Sequence, residues 1–401
     1  MTADRRDWFP GLDAVRALGA ACVVATHVGF YTGRTLHGPF AATIGRLDAG
    51  VALFFVLTGF LLFRPYVVAA QHDRPRPATR TYLRRRALRI LPAYWIVVLV
   101  CMATLPRLGA TSPVSDLVHH LTLTQIYGLG IQHTGLTQAW SLCVELSFYL
   151  LLPWLARLVL LRRGRVWTYG VLGALAVFGA AWTPFLTATN ALDVRIAGQW
   201  LPGFLDWFVA GMLLALVQVH GRSAPAWARR LHDVARSPGT CWAAALAIFA
   251  IATSPLAGPA SIRGDIDAPT PSSVLLKNLL YLVAATLFVL PLVLGPQDEG
   301  VVRRVLSGRT GRFLGEISYG VFQWHLAVLE GYTRVRHQPL FTGSWVLTFL
   351  LVWGLTLPVA WASYRFVERP LMTWRSRPPV RVPSQRTSVD HTTTSPVAQS
   401  A

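Results

Sequence analysis

Residues 11–31 read GLDAVRALGAACVVATHVGFY, an apolar run that is interrupted by Asp13, Arg16 and His27. The run matches the roughly 20 residues that a helix needs to cross a bilayer. At about 100° and 1.5 Å per residue, Arg16 and His27 fall on one face of this helix, about 16 Å apart along its axis. Ionisable side chains within hydrocarbon usually face a cavity lined by protein or filled with water. The stretch therefore predicts a membrane-spanning helix with one polar face.

The composition of the whole chain indicates a polytopic membrane protein. Of its 401 residues, 53% are hydrophobic and 14% are charged, and the mean hydropathy is +0.44. A formal net charge of +19 would suggest nucleic-acid binding in a soluble protein. Here the basic residues lie between apolar runs, so loop topology explains them and no nucleic-acid partner is expected. The four cysteines lack paired spacing, so we expect neither a disulfide framework nor a metal site.

The hydropathy pattern predicts an all-α fold of about ten transmembrane helices. The connection of residues 64–89 alone holds eight arginines, and the loops on the same side hold most of the other basic residues. By the positive-inside rule, both the N-terminus and the C-terminus are predicted to be cytoplasmic. Residues 1–375 form the predicted membrane domain, and the Pro-, Ser- and Thr-rich residues 376–401 are a predicted disordered cytoplasmic tail. The predicted spans are residues 11–31, 49–69, 88–105, 139–160, 167–187, 200–219, 239–254, 273–294, 314–332 and 344–366.

Four ionisable residues are predicted to lie at similar depths on four different helices: His27, Glu145, Asp206 and His325. Burying each of them separately in lipid would be costly, so the pattern favours one shared polar cavity. Each residue also has a purely structural interpretation, as a hydrogen-bonded core histidine or as a carboxylate paired within the bundle.

A second cluster lies at the predicted cytoplasmic end of the third span. Arg86 and Arg89 are three residues apart and share a helix face, and Arg16 approaches the same side from the first span. Guanidinium groups on adjacent turns suit bidentate contacts with phosphate, although the cluster is also explained by topology alone. Asp13 is expected to pair with Arg16, three residues further on.

Five segments carry a family resemblance: residues 11–17 (GLDAVRA) with His27, 50–61 (GVALFFVLTGFL), 86–92 (RALRILP) with Tyr94 and Trp95, 140–145 (WSLCVE) with Phe148 and Tyr149, and 317–325 (ISYGVFQWH). Together they resemble the family-3 membrane acyltransferases, which O-acetylate bacterial O-antigen and other glycans. The resemblance is to members without an appended soluble hydrolase domain. The five segments follow the family's order and extend over nearly the whole chain. Thr58, Leu146 and Ser147 depart from the common family pattern and bear on acceptor specificity.

The resemblance implies a reaction and assigns roles to residues. It implies an acyl-coenzyme A donor, most simply acetyl-CoA, on the cytoplasmic side of a bacterial inner membrane, and a hydroxyl acceptor on a sugar or glycan. It implies His27 as the essential base. It also implies that Arg16, Arg86 and Arg89 bind the donor. From the predicted depths and the chemistry of the side chains, we expect Glu145 or Asp13 to support His27, and the residues around the acceptor to be Tyr319, Trp324, His325 and Asp206. No metal is expected.

Direct transfer of the acyl group and an acyl-histidine intermediate are both allowed by the sequence. Two other classes of function also remain open at this point. A proton- or solute-coupled transporter would use His27, Glu145 and Asp206 as a relay and would consume no thioester. A non-catalytic membrane binder would tolerate loss of Arg86 and Arg89.

Overall fold

The computed structural model describes residues 9, 11–108, 112–128, 131–161, 164–258, 269–296 and 300–374, and within them the predicted all-α fold is confirmed. The predicted tail of residues 376–401 lies outside the described residues. The helices are α1 (Gly11–Tyr31), α2 (Ala41–Gly45), α3 (Gly50–Gln71), α4 (Thr79–Thr104), α5 (Pro113–Thr122), α6 (Trp140–Val159), α7 (Arg165–Thr189), α8 (Val194–Ala197), α9 (Leu205–His220), α10 (Ala226–Val234), α11 (Pro238–Ala252), α12 (Pro271–Leu294), α13 (Val301–Leu306), α14 (Arg309–Val335), α15 (Trp345–Ser363) and α16 (Arg369–Trp374). Shorter helical turns occupy Arg46–Ala49, Gln125–Tyr127, Thr137–Ala139, Leu201–Phe204, Gly221–Ser223, Pro255–Ala257 and Tyr364–Glu368.

Eight helices in the described residues are long and apolar enough to cross a membrane, or nine if α10 and α11 count as one bent span. The seventh predicted span corresponds to α11, which has only 15 residues and meets α10 at an angle of 98°. The ninth corresponds to α14, whose 27 residues extend about 40 Å but are too polar to pass as a simple apolar span. The difference from ten helices therefore arises from one short helix and one polar helix.

The helices α3 and α9 form a central, closely packed pair. Gly59 and Gly211 make this approach possible, because a Cβ atom at either position would overlap a backbone carbonyl of the other helix. The ring of Phe208 on α9 then stacks between Phe55 and Phe148, with centroid distances of 4.5 Å and 4.1 Å. This aromatic stack joins α6 to the central pair.

The helix α1 packs against α14 on one side and α3 on the other. Gly315 on α14 lies against Asp13, which brings the two helices together near their N-terminal ends. We call the end of the bundle at which α1 begins the arginine end, because Arg86 lies there, and the opposite end the histidine end. The parallel course of α1 and α14 then brings His27 next to His325 toward the histidine end.

The described residues between α4 and α6 fold against the histidine end of the bundle. Ser112 caps α5 by accepting a hydrogen bond from the backbone of Ser115, at 3.2 Å. Arg107 forms an ion pair with the buried Asp116, at 2.6 Å. Burial lowers the pKa of the nearby His120, whose ring contacts the carbonyl of Asp116 at 2.8 Å.

Candidate functional site

Two histidines from α1 and α14 are in contact in the bundle core. Nε2 of His325 lies 3.1 Å from Nδ1 of His27, and the His325 side chain is fully buried. Nδ1 of His27 also lies 2.9 Å from the carbonyl oxygen of Val23. Nδ1 of His325 lies 2.8 Å from the carbonyl oxygen of Phe322. Sequence reasoning expected these two histidines in one cavity but did not predict their direct contact.

These contacts determine the tautomer of each neutral ring. A carbonyl oxygen only accepts hydrogen bonds, so Nδ1 of His325 carries the proton and its Nε2 is left as an acceptor. Nδ1 of His27 therefore donates its own proton, which lies between Val23 and His325. The remaining nitrogen of His27, Nε2, keeps its lone pair. The pair thus presents one basic nitrogen in a fixed orientation.

A cavity of about 90 Å³, here called the core cavity, lies on the arginine side of this pair. This volume is sufficient for several water molecules. Three arginines and a carboxylate converge on it, together with the hydroxyl-bearing side chains of Thr58, Tyr149, Ser318 and Tyr319. The charged residues are Arg16, Arg86, Arg89 and Glu145. The structure therefore brings together, from α1, α4, α6 and α14, five of the ten site residues that the sequence singled out: Arg16, Arg86, Arg89, Glu145 and Tyr319.

Glu145 is held inside the core cavity by two hydroxyl donors. Thr58 donates to one carboxylate oxygen at 3.0 Å and Tyr149 donates to the other at 2.8 Å. The guanidinium of Arg86 lies over the Tyr149 ring, 5.8 Å from its centroid. The hydrogen-bonding partner of His27 is His325, not Glu145, so direct support of His27 by Glu145 is not what this geometry provides.

A larger groove of about 650 Å³ opens at the arginine end and shares Arg86 and Arg89 with the core cavity. Tyr66 and Tyr82 also line this groove, and both hydroxyl groups are buried without a hydrogen-bond partner in the described part of the chain. Buried polar groups are normally satisfied, so these two hydroxyls indicate a polar ligand or ordered water in the groove.

Two phenylalanines separate the core cavity from the histidine pair. Phe54 and Phe322 both line the cavity, and their ring centroids are 5.7 Å apart. Phe322 also packs against His325, with a centroid distance of 5.9 Å. The polar route from the arginines toward the imidazoles is therefore interrupted by an aromatic contact.

Three of the predicted site residues lie elsewhere. Asp13 pairs with Arg16 at 3.2 Å, as expected, and lies four helical turns from His27, so it does not touch the imidazole. Asp206 is buried and accepts a hydrogen bond from Asn278 at 2.6 Å, away from the core cavity. Trp324 lines neither the core cavity nor the groove, and its buried indole N–H has no partner among the described residues.

Tyr319 does line the core cavity, but its hydroxyl proton is already engaged. It donates to the carbonyl oxygen of Ile90 at 2.9 Å and so joins α14 to α4. Sequence reasoning missed the functional contacts of Tyr149 and Thr58. Tyr149 was detectable, because it follows Glu145 by four residues on one helix face. No group of three potential metal ligands occurs in the described residues.

Comparison with known proteins gives a consistent result. A family model described as "Acyltransferase domain" matches residues 9–365. Peptidoglycan O-acetyltransferase OatA of Listeria monocytogenes is 23% identical over 384 residues, which cover 91% of this chain and 56% of the relative. Nodulation protein 10 of Rhizobium leguminosarum bv. viciae is 24% identical over 392 residues, which cover 91% of this chain and 93% of the relative. No solved structure matches the chain significantly.

Proposed function

Because the chain belongs to the acyltransferase family whose model matches residues 9–365, we propose that it transfers an acyl group from acyl-CoA to a hydroxyl of a glycan or glycosylated acceptor. The observation that carries this proposal is the sharing of Arg86 and Arg89 between the groove and the core cavity, which Phe54 and Phe322 separate from the histidine pair. Family membership favours this reaction over solute-coupled transport and over a non-catalytic binding role.

The donor enters, in this proposal, from the cytoplasmic side at the arginine end. Arg86 and Arg89 bind its phosphates, because guanidinium groups match phosphate oxygens bidentately and remain charged. The groove of about 650 Å³ is large enough for a nucleotide-sized group. The core cavity of about 90 Å³ is too small for the pantetheine arm, so donor binding must widen it. Arg16 would then contact the donor from α1.

The chemistry depends on Nε2 of His27. It removes the proton from the acceptor hydroxyl as the hydroxyl oxygen attacks the thioester carbonyl carbon. The tetrahedral intermediate then collapses, the carbon–sulfur bond breaks, and the protonated His27 returns its proton to the coenzyme A thiolate. The products are an ester and free coenzyme A. His325 acts as a positioning residue that holds the tautomer of His27. An acyl-histidine intermediate at the same nitrogen is the alternative.

The chemical class of the acceptor is supported by the relatives. The Listeria relative is named a peptidoglycan O-acetyltransferase, so its printed acceptor is a glycan of the cell envelope. This chain spans 56% of that relative's length. We propose that the acceptor of this chain is likewise a glycan. We propose an acetyl group as the acyl group on the same basis.

The proposal is tested with the protein reconstituted in lipid vesicles and with native membranes as the acceptor source. Labelled acetyl-CoA is added, and esterified label is located by mass spectrometry. We expect His27→Leu to lower the transfer rate by about 10²- to 10⁴-fold, the usual contribution of a general base. His72→Leu is the matched control, because His72 contacts a carbonyl four residues earlier in the same way but is exposed. A folded His27→Leu protein with full transfer would refute the assignment.

A further inference from the structure

A separate cavity of about 290 Å³ lies at the histidine end, between α7, α9, α12 and the turn Arg46–Ala49. We call it the aromatic cavity, because Trp140, Phe204, Trp207 and Tyr281 line it. Its polar lining includes three side chains that the proposed reaction does not use. These are Asp48, Lys277 and Asn278.

Asp48 has a fixed position in this cavity. Tyr281 donates a hydrogen bond to one carboxylate oxygen of Asp48 at 2.5 Å. Nζ of Lys277 lies 3.6 Å from the other oxygen, and both charged side chains remain partly exposed, at 38% for Lys277 and 45% for Asp48. A carboxylate held this way keeps lone pairs available for hydroxyl donors.

The aromatic cavity and the histidine pair lie at the same end of the bundle. The chain segment before Asp48 is also joined to α1, because Thr26, the neighbour of His27, donates to the carbonyl oxygen of Gly45 at 3.2 Å. A ligand hydroxyl bound near Asp48 is therefore on the same side of the bundle as the proposed base.

Asn278 is oriented from behind by the buried Asp206. The amide nitrogen of Asn278 donates to Asp206 at 2.6 Å, which directs the amide oxygen of Asn278 away from that carboxylate. The indole N–H of Trp207 donates to the backbone carbonyl of Asn278 at 3.3 Å. This explains a buried acidic residue that does not reach the core cavity: Asp206 positions a side chain that lines the aromatic cavity.

We propose that the aromatic cavity binds the acceptor as a neutral saccharide ring, with Asp48 and Asn278 accepting its hydroxyl groups and Trp140 packing on its apolar face. The inference rests on the proposed function for its link to His27. The aromatic walls offer flat apolar surfaces next to a few fixed polar groups, the usual make-up of a small-molecule site. The volume lies at the lower end of the range for ligand pockets, so it suits one ring rather than a chain.

The charge balance of the cavity favours a neutral ring over an anionic headgroup. Lys277 is its one ammonium group among the lining residues, and Asp48 already neutralises it. A phosphate ligand would bring a negative charge next to the Asp48 carboxylate without an unpaired cation to offset it. Free phosphates and phospholipid headgroups are therefore expected to bind poorly here.

Lys277 provides a direct probe of binding, because it is the only lysine in the chain. Purified full-length protein is treated with an amine-reactive reagent, and modification of the Lys277 peptide is followed by mass spectrometry. The methyl glycosides of glucose, rhamnose and N-acetylglucosamine are the probes, with glycerol 3-phosphate as the anionic comparison. We expect at least one glycoside to slow modification, by about tenfold at ten times its Kd, and glycerol 3-phosphate to have no effect.

Trp140→Leu tests whether protection reflects occupancy of the aromatic cavity. This change keeps apolar bulk but removes the flat ring, so the protection of Lys277 should be lost. Trp361→Leu on α15 is the matched control, because Trp361 is exposed and far from the cavity, and it should keep full protection. Lys277→Arg identifies the labelled peptide. The inference is overturned if no glycoside protects Lys277, or if Trp140→Leu is folded and protected as well as the wild type.

A kinetic measurement separates this inference from the proposed function. In the acetyl-transfer assay with native membranes, Asp48→Asn and Trp140→Leu should raise the apparent KM for acceptor at least tenfold and leave the KM for acetyl-CoA unchanged. The protection assay contains no acyl donor, so glycoside binding stands on its own if acetyl transfer is never detected. An equal rise in both KM values would overturn the assignment of the cavity to the acceptor.

Discussion

Replacing His325 tests the role of the histidine pair, because His325 contacts His27 but does not take part in bond breaking. His325→Leu keeps the volume of the fully buried side chain and removes the acceptor that lies 3.1 Å from Nδ1 of His27. A neutral hydrogen bond contributes about 1 kcal/mol of stabilisation. The loss of one of the two acceptors of a buried N–H costs up to about the same amount again. The carbonyl of Val23 remains as a partner. The expected loss of about 1 to 2 kcal/mol corresponds to a roughly 5- to 30-fold lower transfer rate.

His325→Gln is the matched variant, because its amide oxygen takes the place of Nε2 and accepts the same proton. We expect His325→Gln to retain most of the rate that His325→Leu loses. Initial rates of label transfer from acetyl-CoA are measured for both variants, and thermal unfolding confirms that both are folded. The tautomer argument fails if the Leu variant keeps the wild-type rate, or if the Gln and Leu variants lose equal amounts while remaining folded.

Three further predictions concern other parts of the molecule. Replacing Arg86 and Arg89 by Ala should raise the KM for acetyl-CoA, measured from initial rates. The expected rise is about 10- to 150-fold for each charge-assisted hydrogen bond that is lost. An unchanged KM would exclude donor binding by these two arginines. Gly211→Val should abolish the folded protein in detergent, as measured by size-exclusion chromatography. The reason is that even the Cβ atom of the introduced valine would overlap a backbone carbonyl of α3. A normal yield of folded protein would contradict this packing. Since burial lowers the pKa of His120, protonation of His120 favours the unfolded state, and the melting temperature should fall as the pH drops below about 6.5. His120→Asn should reduce this pH dependence of the melting temperature. An equal pH dependence in the variant would contradict the assignment to His120.

The spans and the burial of several candidate site residues were predictable because their signals are local. A buried arginine or histidine in an apolar run is visible in the sequence, and helical geometry places Arg16 on the face that meets the core cavity. The grouping of Arg86 and Arg89 with Arg16 also followed from predicted depth, whereas Glu145, expected at the depth of the histidines, lies with the arginines in the core cavity. The short α11 and the charged α14 were harder to classify, because they depart from a uniform apolar span.

The contacts between distant segments were not predictable in this way. Neither the pairing of His27 with His325 nor that of Asp48 with Lys277 has a periodic signal, since each depends on how helices pack together. Asp206 was correctly identified as buried, but its partner Asn278 lies on another helix, 72 residues further along. The depth of a residue in the membrane can be derived from its position in a single span. The neighbour that its side chain meets within the bundle depends on the tertiary structure.

The contact between Phe54 and Phe322 has a consequence for the energy supply of a cell. A continuous file of water through a membrane protein would let protons run down their gradient and would dissipate the voltage that drives ATP synthesis. An apolar constriction makes such a file unfavourable because it dewets. Two aromatic rings with centroids 5.7 Å apart therefore oppose proton leakage through a bundle that carries polar residues deep into the bilayer.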